Sequence, residues 1–222
     1  MPRKLPAILF DLDGTLIDSI ELILSAARHA FSLRDGPAPS DAEWTALIGT
    51  PLADQFRRFA ATPEEFEMLL ARYREFQREH HDRMVRCYDG VPEVVRMLRA
   101  AGHPIAIVTS KAEAMAMRAL RHVALDAQID LLVGSDATSR HKPFPDPVLH
   151  ALERLDVRAT DAIFVGDSPH DIAAGNAAGV TTVGALWGPF ARETLEAAGA
   201  SYVIDDIRAL GGVLERRRPL PD

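Results

Sequence analysis

Short, uniformly apolar runs recur along the chain at residues 7–10, 105–108, 131–133, 162–165 and 180–183. Runs of this length without alternation predict strands buried on both faces, the mark of a parallel sheet. Helical patterns lie between them, at 91–101 closed by Gly102, at 112–122 and at 147–155. The alternation predicts an α/β fold with a doubly wound parallel sheet.

Residues 19–85 break the rhythm. Ile20, Ile23, Leu24, Ala27 and Phe31 fall on one helical face. Ser40 with Glu43, and Thr62-Pro63-Glu64-Glu65, have the form of capping-box helix starts. Phe66, Leu69, Leu70 and Tyr73 then form an apolar stripe suited to a bundle core. The expected organisation is therefore a Rossmann-like core of residues 1–18 and 86–222, carrying an inserted all-helical cap of residues 19–85. The stretch 215–222 reads as a solvated tail.

Length fits this plan, since 222 residues suit one large domain or a domain with a smaller insert. The balance of 25 Lys+Arg against 32 Asp+Glu gives a net charge of −7. That excludes a general electrostatic footprint for nucleic acid or an anionic membrane, and a small anionic ligand would need locally concentrated positive charge. The single cysteine, Cys87, excludes an intrachain disulfide framework and fits a reducing compartment. No apolar stretch suggests a signal peptide or the roughly 20 residues of a membrane span, so the cytoplasm is the expected location.

The chemistry gathers at the C-terminal ends of the predicted strands, where open α/β sheets bind ligands. Asp11-Leu12-Asp13-Gly14-Thr15 follows the first run directly, and Gly166-Asp167-Ser168-Pro169-His170-Asp171 follows another. Carboxylates on adjacent strand ends repel by about 4 kcal/mol per pair at ~4 Å and an effective dielectric near 20, unless a cation intervenes. An oxygen-only ligand set without Cys or paired His favours a hard ion, Mg²⁺ over Zn²⁺. Thr109-Ser110-Lys111 and Lys142-Pro143 add hydroxyl and ammonium donors at further loop positions.

These four motifs, in this order, resemble those of the haloacid dehalogenase-like phosphatases over nearly the whole chain. The helical insert looks like the mobile cap of that family's phosphoglycolate phosphatase and β-phosphoglucomutase branch. The resemblance implies that Asp11 is the nucleophile, forming an aspartyl-phosphate. Its other carboxylate oxygen, the Asp13 backbone carbonyl and the Asp167 carboxylate would hold Mg²⁺, while Asp171 would orient a metal water or Lys142. Asp13 would protonate the leaving oxygen and then activate water, which calls for a protonated carboxyl in the first step. Thr109, Ser110 and Lys142 would bind the phosphoryl oxygens.

Specificity in such a design belongs to the cap. Gly49-Thr50-Pro51 could dip over the site, with Arg57 or Arg58 reaching a second anionic group, or could be a plain interhelix turn. His80-His81-Asp82 reads as a solvated polar face rather than a metal site, and His170 as a loop residue. The expected activity is Mg²⁺-dependent hydrolysis of a small phosphorylated metabolite, phosphoglycolate-like, by a monomer or homodimer. The similarity equally covers the branch's pyrophosphatases. A sugar phosphomutase would share the nucleophile but need a bisphosphate. A receiver-type phosphoacceptor module lacks the helical insert and carries its aspartate on a later strand.

Overall fold

The structure, a computed structural model, describes residues 5–34 and 36–216. The first strand, β1 (Ala7–Phe10), is followed by a two-residue strand, β2 (Ile17–Asp18), and then by four helices: α1 (Ile20–Phe31), α2 (Asp41–Thr45), α3 (Leu52–Arg57) and α4 (Pro63–Met84). The chain returns through β3 (Arg86–Cys87) to α5 (Val91–Ala101), β4 (Ile105–Val108), α6 (Glu113–His122) and β5 (Leu131–Val133). It continues with α7 (Asp146–Leu155), β6 (Ala162–Gly166), α8 (Pro169–Ala178), β7 (Thr181–Ala185), α9 (Arg192–Ala197), β8 (Tyr202–Ile204) and α10 (Leu210–Arg216).

Six strands form one parallel sheet in the order β5-β4-β1-β6-β7-β8. Alternate residues of the buried strands feed opposite faces. Ile8, Phe10, Ile105, Ile107, Ile163 and Val165 pack with side chains of α5, α6 and α10. Ala7, Leu9, Ala106, Val108 and Phe164 pack with those of α7 and α8 on the other face. This is a doubly wound fold, and the direction of winding reverses between β1 and β6, the crevice where such sheets bind ligands.

All five expected strands form, although β7 starts one residue later than its apolar run and extends to Ala185. The edge strand β8, with two half-buried residues and the buried Ile204, was not expected. The antiparallel pair β2–β3 was not expected either, each member being two residues long. That pair lays side by side the two segments connecting the sheet to helices α1–α4.

Those helices have a core of their own. Ile23, Ala27, Phe31, Trp44, Phe56, Leu69 and Tyr73 are buried together, and Trp44 packs edge-on to Phe56 with ring centroids 4.9 Å apart. Ser40 and Glu43 form the reciprocal capping box. At Thr62 only half the box forms: its side chain accepts from Glu65 N, whereas the Glu65 carboxylate turns to Ala61 N at 2.5 Å.

One expectation holds only in part at the end of α4. His81 is 2 % exposed, with Nδ1 2.7 Å from Asp82 Oδ1. The long helix packs its last turn toward α6, where Arg118 donates to Asp82 at 3.0 Å, so His81 is covered while Asp82 stays exposed. Burial lowers the His81 pKa, outweighing the Asp82 hydrogen bond. Of the expected tail, Glu215 and Arg216 close α10 and 217–222 lie outside the described residues. Among the described residues no helix is long and apolar enough to cross a membrane.

Candidate active site

β1 delivers Asp11 to the switch point, where its backbone N–H donates to Val165 O of β6 at 2.9 Å. The chain then turns sharply over the Leu12 carbonyl, which accepts from Leu16 N and Ile17 N. Gly14 lies at φ +85°, a left-handed conformation that favours glycine, and a Cβ there would sit 2.4 Å from Asp167 Oδ2. The turn thus requires glycine twice over.

β6 ends by placing Asp167 beside Asp11. Thr15 Oγ1 donates to Asp167 Oδ1 at 2.7 Å. Asp167 Oδ2 is buried and has no hydrogen-bond partner among the described residues. Ser168 caps α8 through a reciprocal box with Asp171, whose Oδ2 accepts from Ser168 N at 3.1 Å and Oγ at 2.6 Å. The other Asp171 oxygen accepts from Lys142 Nζ at 2.5 Å. Lys142 also donates to Asp11 Oδ1 at 2.8 Å and Val108 O at 3.2 Å, with its side chain 1 % exposed.

Among the described residues, oxygens of Asp11, Asp167 and Asp171 lie within 4.8 Å of one another. One ammonium cannot balance three buried carboxylates. Burial pushes the Asp11 pKa up to about 7 against the pull of Lys142, with Asp171 and Asp13 also raising it. Burial, followed by the charges of Asp171 and Asp11, puts Asp167 well above the usual carboxylate range. Burial opposes the charge on Lys142, but Asp11 and Asp171 outweigh it and hold the ammonium protonated.

The orphaned Asp167 oxygen, the surplus of carboxylates and the all-oxygen donor set fit a hard divalent cation such as Mg²⁺. Both Asp171 oxygens are already engaged, so that residue is better suited to holding Lys142 than to binding metal.

Asp13, Thr109, Ser110, Gly49 and Thr50 line a cavity of about 570 Å³ with Asp11, bounded on one side by sheet loops and on the other by α1, α3 and α4. The Gly49 loop does reach over the site: Ser110 Oγ donates to Gly49 O at 2.5 Å, joining it to the loop after β4. Both donors of Thr50 are spent inside the turn, its hydroxyl at 2.7 Å and its N–H at 3.1 Å from Leu47 O. Thr109 is buried, and its Oγ1 accepts from Lys111 N at 3.2 Å. His170 lies beside Gly49, with its buried Nε2 unpartnered among the described residues.

Arg57 does not reach the cavity. It pairs with Asp54 at 2.7 Å and lies over the Phe66 ring, and Arg58 is likewise absent from the wall. Both follow α3 onto its outer side, and the arginines that line the cavity are Arg74, Arg78 and Arg118.

Lys111, expected as a donor without an assigned partner, and Ser19, which sequence reasoning passed over, both donate to Asp13 Oδ1 at 2.6 Å. Thr15 and Ser168 were missed as well. For Ser168 a signal existed, because Ser-x-x-Asp before an apolar stretch reads as a capping box. For Lys111 only its place beside Thr109 pointed to the site.

The model of the haloacid dehalogenase-like hydrolase family matches residues 8–185. A pyrophosphatase, PpaX, of Bacillus mycoides (strain KBAB4) is 37 % identical over 213 residues, covering 96 % of this chain and 98 % of that protein. A PpaX pyrophosphatase of Halalkalibacterium halodurans is 39 % identical over 179 residues, 81 % of this chain and 82 % of the other. A predicted phosphoglycolate phosphatase from Haemophilus somnus 129PT superposes with a TM-score of 0.87 at 23 % identity, over 96 % of this chain and 99 % of that one. At that identity the likeness shows the fold.

Proposed function

The chain belongs to the haloacid dehalogenase-like hydrolases and is a phosphatase; on that premise we propose that it moves the phosphoryl group of a small phosphorylated metabolite to Asp11 and then to water. The observation that carries this reading is the environment of Asp11. Its carboxylate is held by Lys142 beside the unpartnered Asp167 oxygen and lines the cavity beneath the helical unit.

Asp11, Asp167 and the Asp13 backbone carbonyl are the groups proposed to hold Mg²⁺. When bound, the ion would screen the carboxylates and stabilise charge on the phosphoryl oxygens. Asp11 attacks phosphorus as the bond to the leaving oxygen breaks, and Asp13 gives that oxygen its proton. Water then attacks the aspartyl-phosphate, passing a proton to Asp13 while Asp11 leaves as a carboxylate.

Lys142 and Thr109 are the groups assigned to the equatorial phosphoryl oxygens, a reading supported by the hold of Asp171 on Lys142. Asp13 is engaged by Lys111, and a phosphoryl group that draws Lys111 to its own oxygens frees Asp13 to face the leaving oxygen. Residues 19–85 act as the cap that excludes water, with Ser110 to Gly49 as one of its closing contacts.

Phosphomonoesters are the favoured substrates, since a cavity of about 570 Å³ with much apolar wall suits an organic leaving group. Inorganic pyrophosphate is the second reading, favoured by the names of the relatives at 37 % and 39 % identity. The test is phosphate release from phosphoglycolate, sugar phosphates, nucleotides and pyrophosphate, with Mg²⁺ and with chelator. Mg²⁺-dependent release is expected, with the preferred compound deciding between the readings. Equal release in chelator contradicts the metal assignment.

A further inference from the structure

Charge is unevenly distributed on this acidic protein. Four cationic side chains, Arg74, Arg78, Lys111 and Arg118, line the cavity against two acidic ones, Asp11 and Asp13, although the chain carries a net −7. Lys111 is engaged by Asp13 and Arg118 by Asp82. The guanidinium groups of Arg74 and Arg78 have no acceptor among the described residues. Arg72 of the same helix, by contrast, is tied to the carbonyls of His29 and Ala30.

Arg74 and Arg78 stand at i and i+4 on α4, where like charges on one helix face repel. Glu75 and Glu79 are exposed and form no part of the cavity wall, so they do not relieve that repulsion there. An anion between the two guanidinium groups would relieve it and accept charge-assisted, bidentate hydrogen bonds. The cavity that holds Asp11 also has Ile23, Ile48, Leu52 and Met115 in its wall, surface suited to an organic body.

We propose that Arg74 and Arg78 form a subsite for a second anionic group, so that the substrates are organic phosphomonoesters whose leaving group carries a carboxylate or a further phosphate. The subsite rests on the phosphatase reading above. It divides the cavity between phosphoryl transfer at Asp11 and recognition of the leaving group's charge at α4.

The test compares matched pairs, phosphoglycerate against glycerol phosphate and glucose bisphosphate against glucose phosphate, with pyrophosphate alongside. The wild-type chain, Arg74→Gln/Arg78→Gln and Arg78→Lys are assayed. The wild type is expected to favour the anionic member of each pair. In the double variant that preference falls by about tenfold or more, the loss of a charge-assisted hydrogen bond, and the change appears in KM. Arg78→Lys keeps part of the preference.

Equal kcat/KM for both members, or a preference that survives the double variant, overturns the subsite. Turnover of pyrophosphate alone overturns the organic substrate class. Absence of hydrolysis of every compound by the wild type overturns the phosphatase reading beneath it. Arg74 and Arg78 are exposed, and melting temperature checks that the variants are folded; Arg78→Lys alone carries the KM comparison if the glutamine pair is not.

Discussion

Asp167 is enclosed by two glycines, Gly14 and Gly188, at which a Cβ would fall 2.4 Å and 2.3 Å from its atoms. Neither neighbour is the end of a flexible chain that could swing away, because Asp167 is buried and held by Thr15. Gly188→Ala is therefore expected to displace the carboxylate and destabilise the fold by about 1–3 kcal/mol, as overpacking does. It should also weaken Mg²⁺ binding, as measured by calorimetric titration; unchanged affinity would contradict the role given to Asp167.

Asp11 also links pH to stability. Its folded pKa is raised from the ordinary 3.8 to about 7, chiefly by burial. Between those values the unfolded chain has released a proton that the metal-free fold retains. Stability in chelator should therefore fall as pH rises through that window. A bound cation would take the place of the proton, so the rise in melting temperature on adding Mg²⁺ should be larger at pH 8 than at pH 5. Equal shifts at both pH values would argue that these carboxylates do not bind the ion.

At the scale of elements, α1–α4 bury Phe31, Trp44 and Phe56 in a cluster separate from the two that flank the sheet. Asp11 and Asp167, the carboxylates proposed to act on phosphate and metal, stand at the ends of β1 and β6 and do not belong to that cluster. Phe56→Ala should cost about 3–5 kcal/mol, a large buried side chain lost from a packed core. It should leave Mg²⁺ affinity within about twofold, since Phe56 packs within the helical cluster and independent sites behave additively. Thermal melting and metal titration on the same variant separate the two effects, and a parallel loss of metal binding would mean that cap and core are not separable units.

The same scale shows what the sequence could reveal. Strands β1, β4 and β6 were legible because burial on both faces makes them uniformly apolar. Asp11 and Asp167 were legible because each directly follows such a strand, and Asp171 because it shares the motif that Asp167 opens. β8 has three residues and β2 and β3 have two each, too few for a periodicity to announce them. His81 looked solvated because its neighbours are polar; only the packing of α4 toward α6 buries it.

Over the whole molecule, the reversal of winding between β1 and β6 brings together residues far apart in the chain: Asp11, Thr109, Lys142 and Asp167. Their motifs could be read singly because the topology of a doubly wound sheet gathers strand ends at one edge. The cavity wall could not be read this way. Arg74 and Arg78 on α4 and Arg118 on α6 meet only once the helical unit lies over the sheet. Sequence alone had offered Arg57 and Arg58 on the neighbouring helix, with nothing to show which side of it they occupy.

The proposed reaction passes through a covalent bond between phosphorus and the Asp11 carboxylate. Acid-quenching the enzyme during Mg²⁺-supported turnover, followed by mass spectrometry of its peptides, tests this most directly. A phosphoryl group on the peptide that contains Asp11 is the expected result, absent from Asp11→Asn, which should stay folded while losing roughly a thousandfold or more in turnover, as a lost nucleophile does. Phosphorylation at a different residue, or full phosphate release by Asp11→Asn, would contradict it.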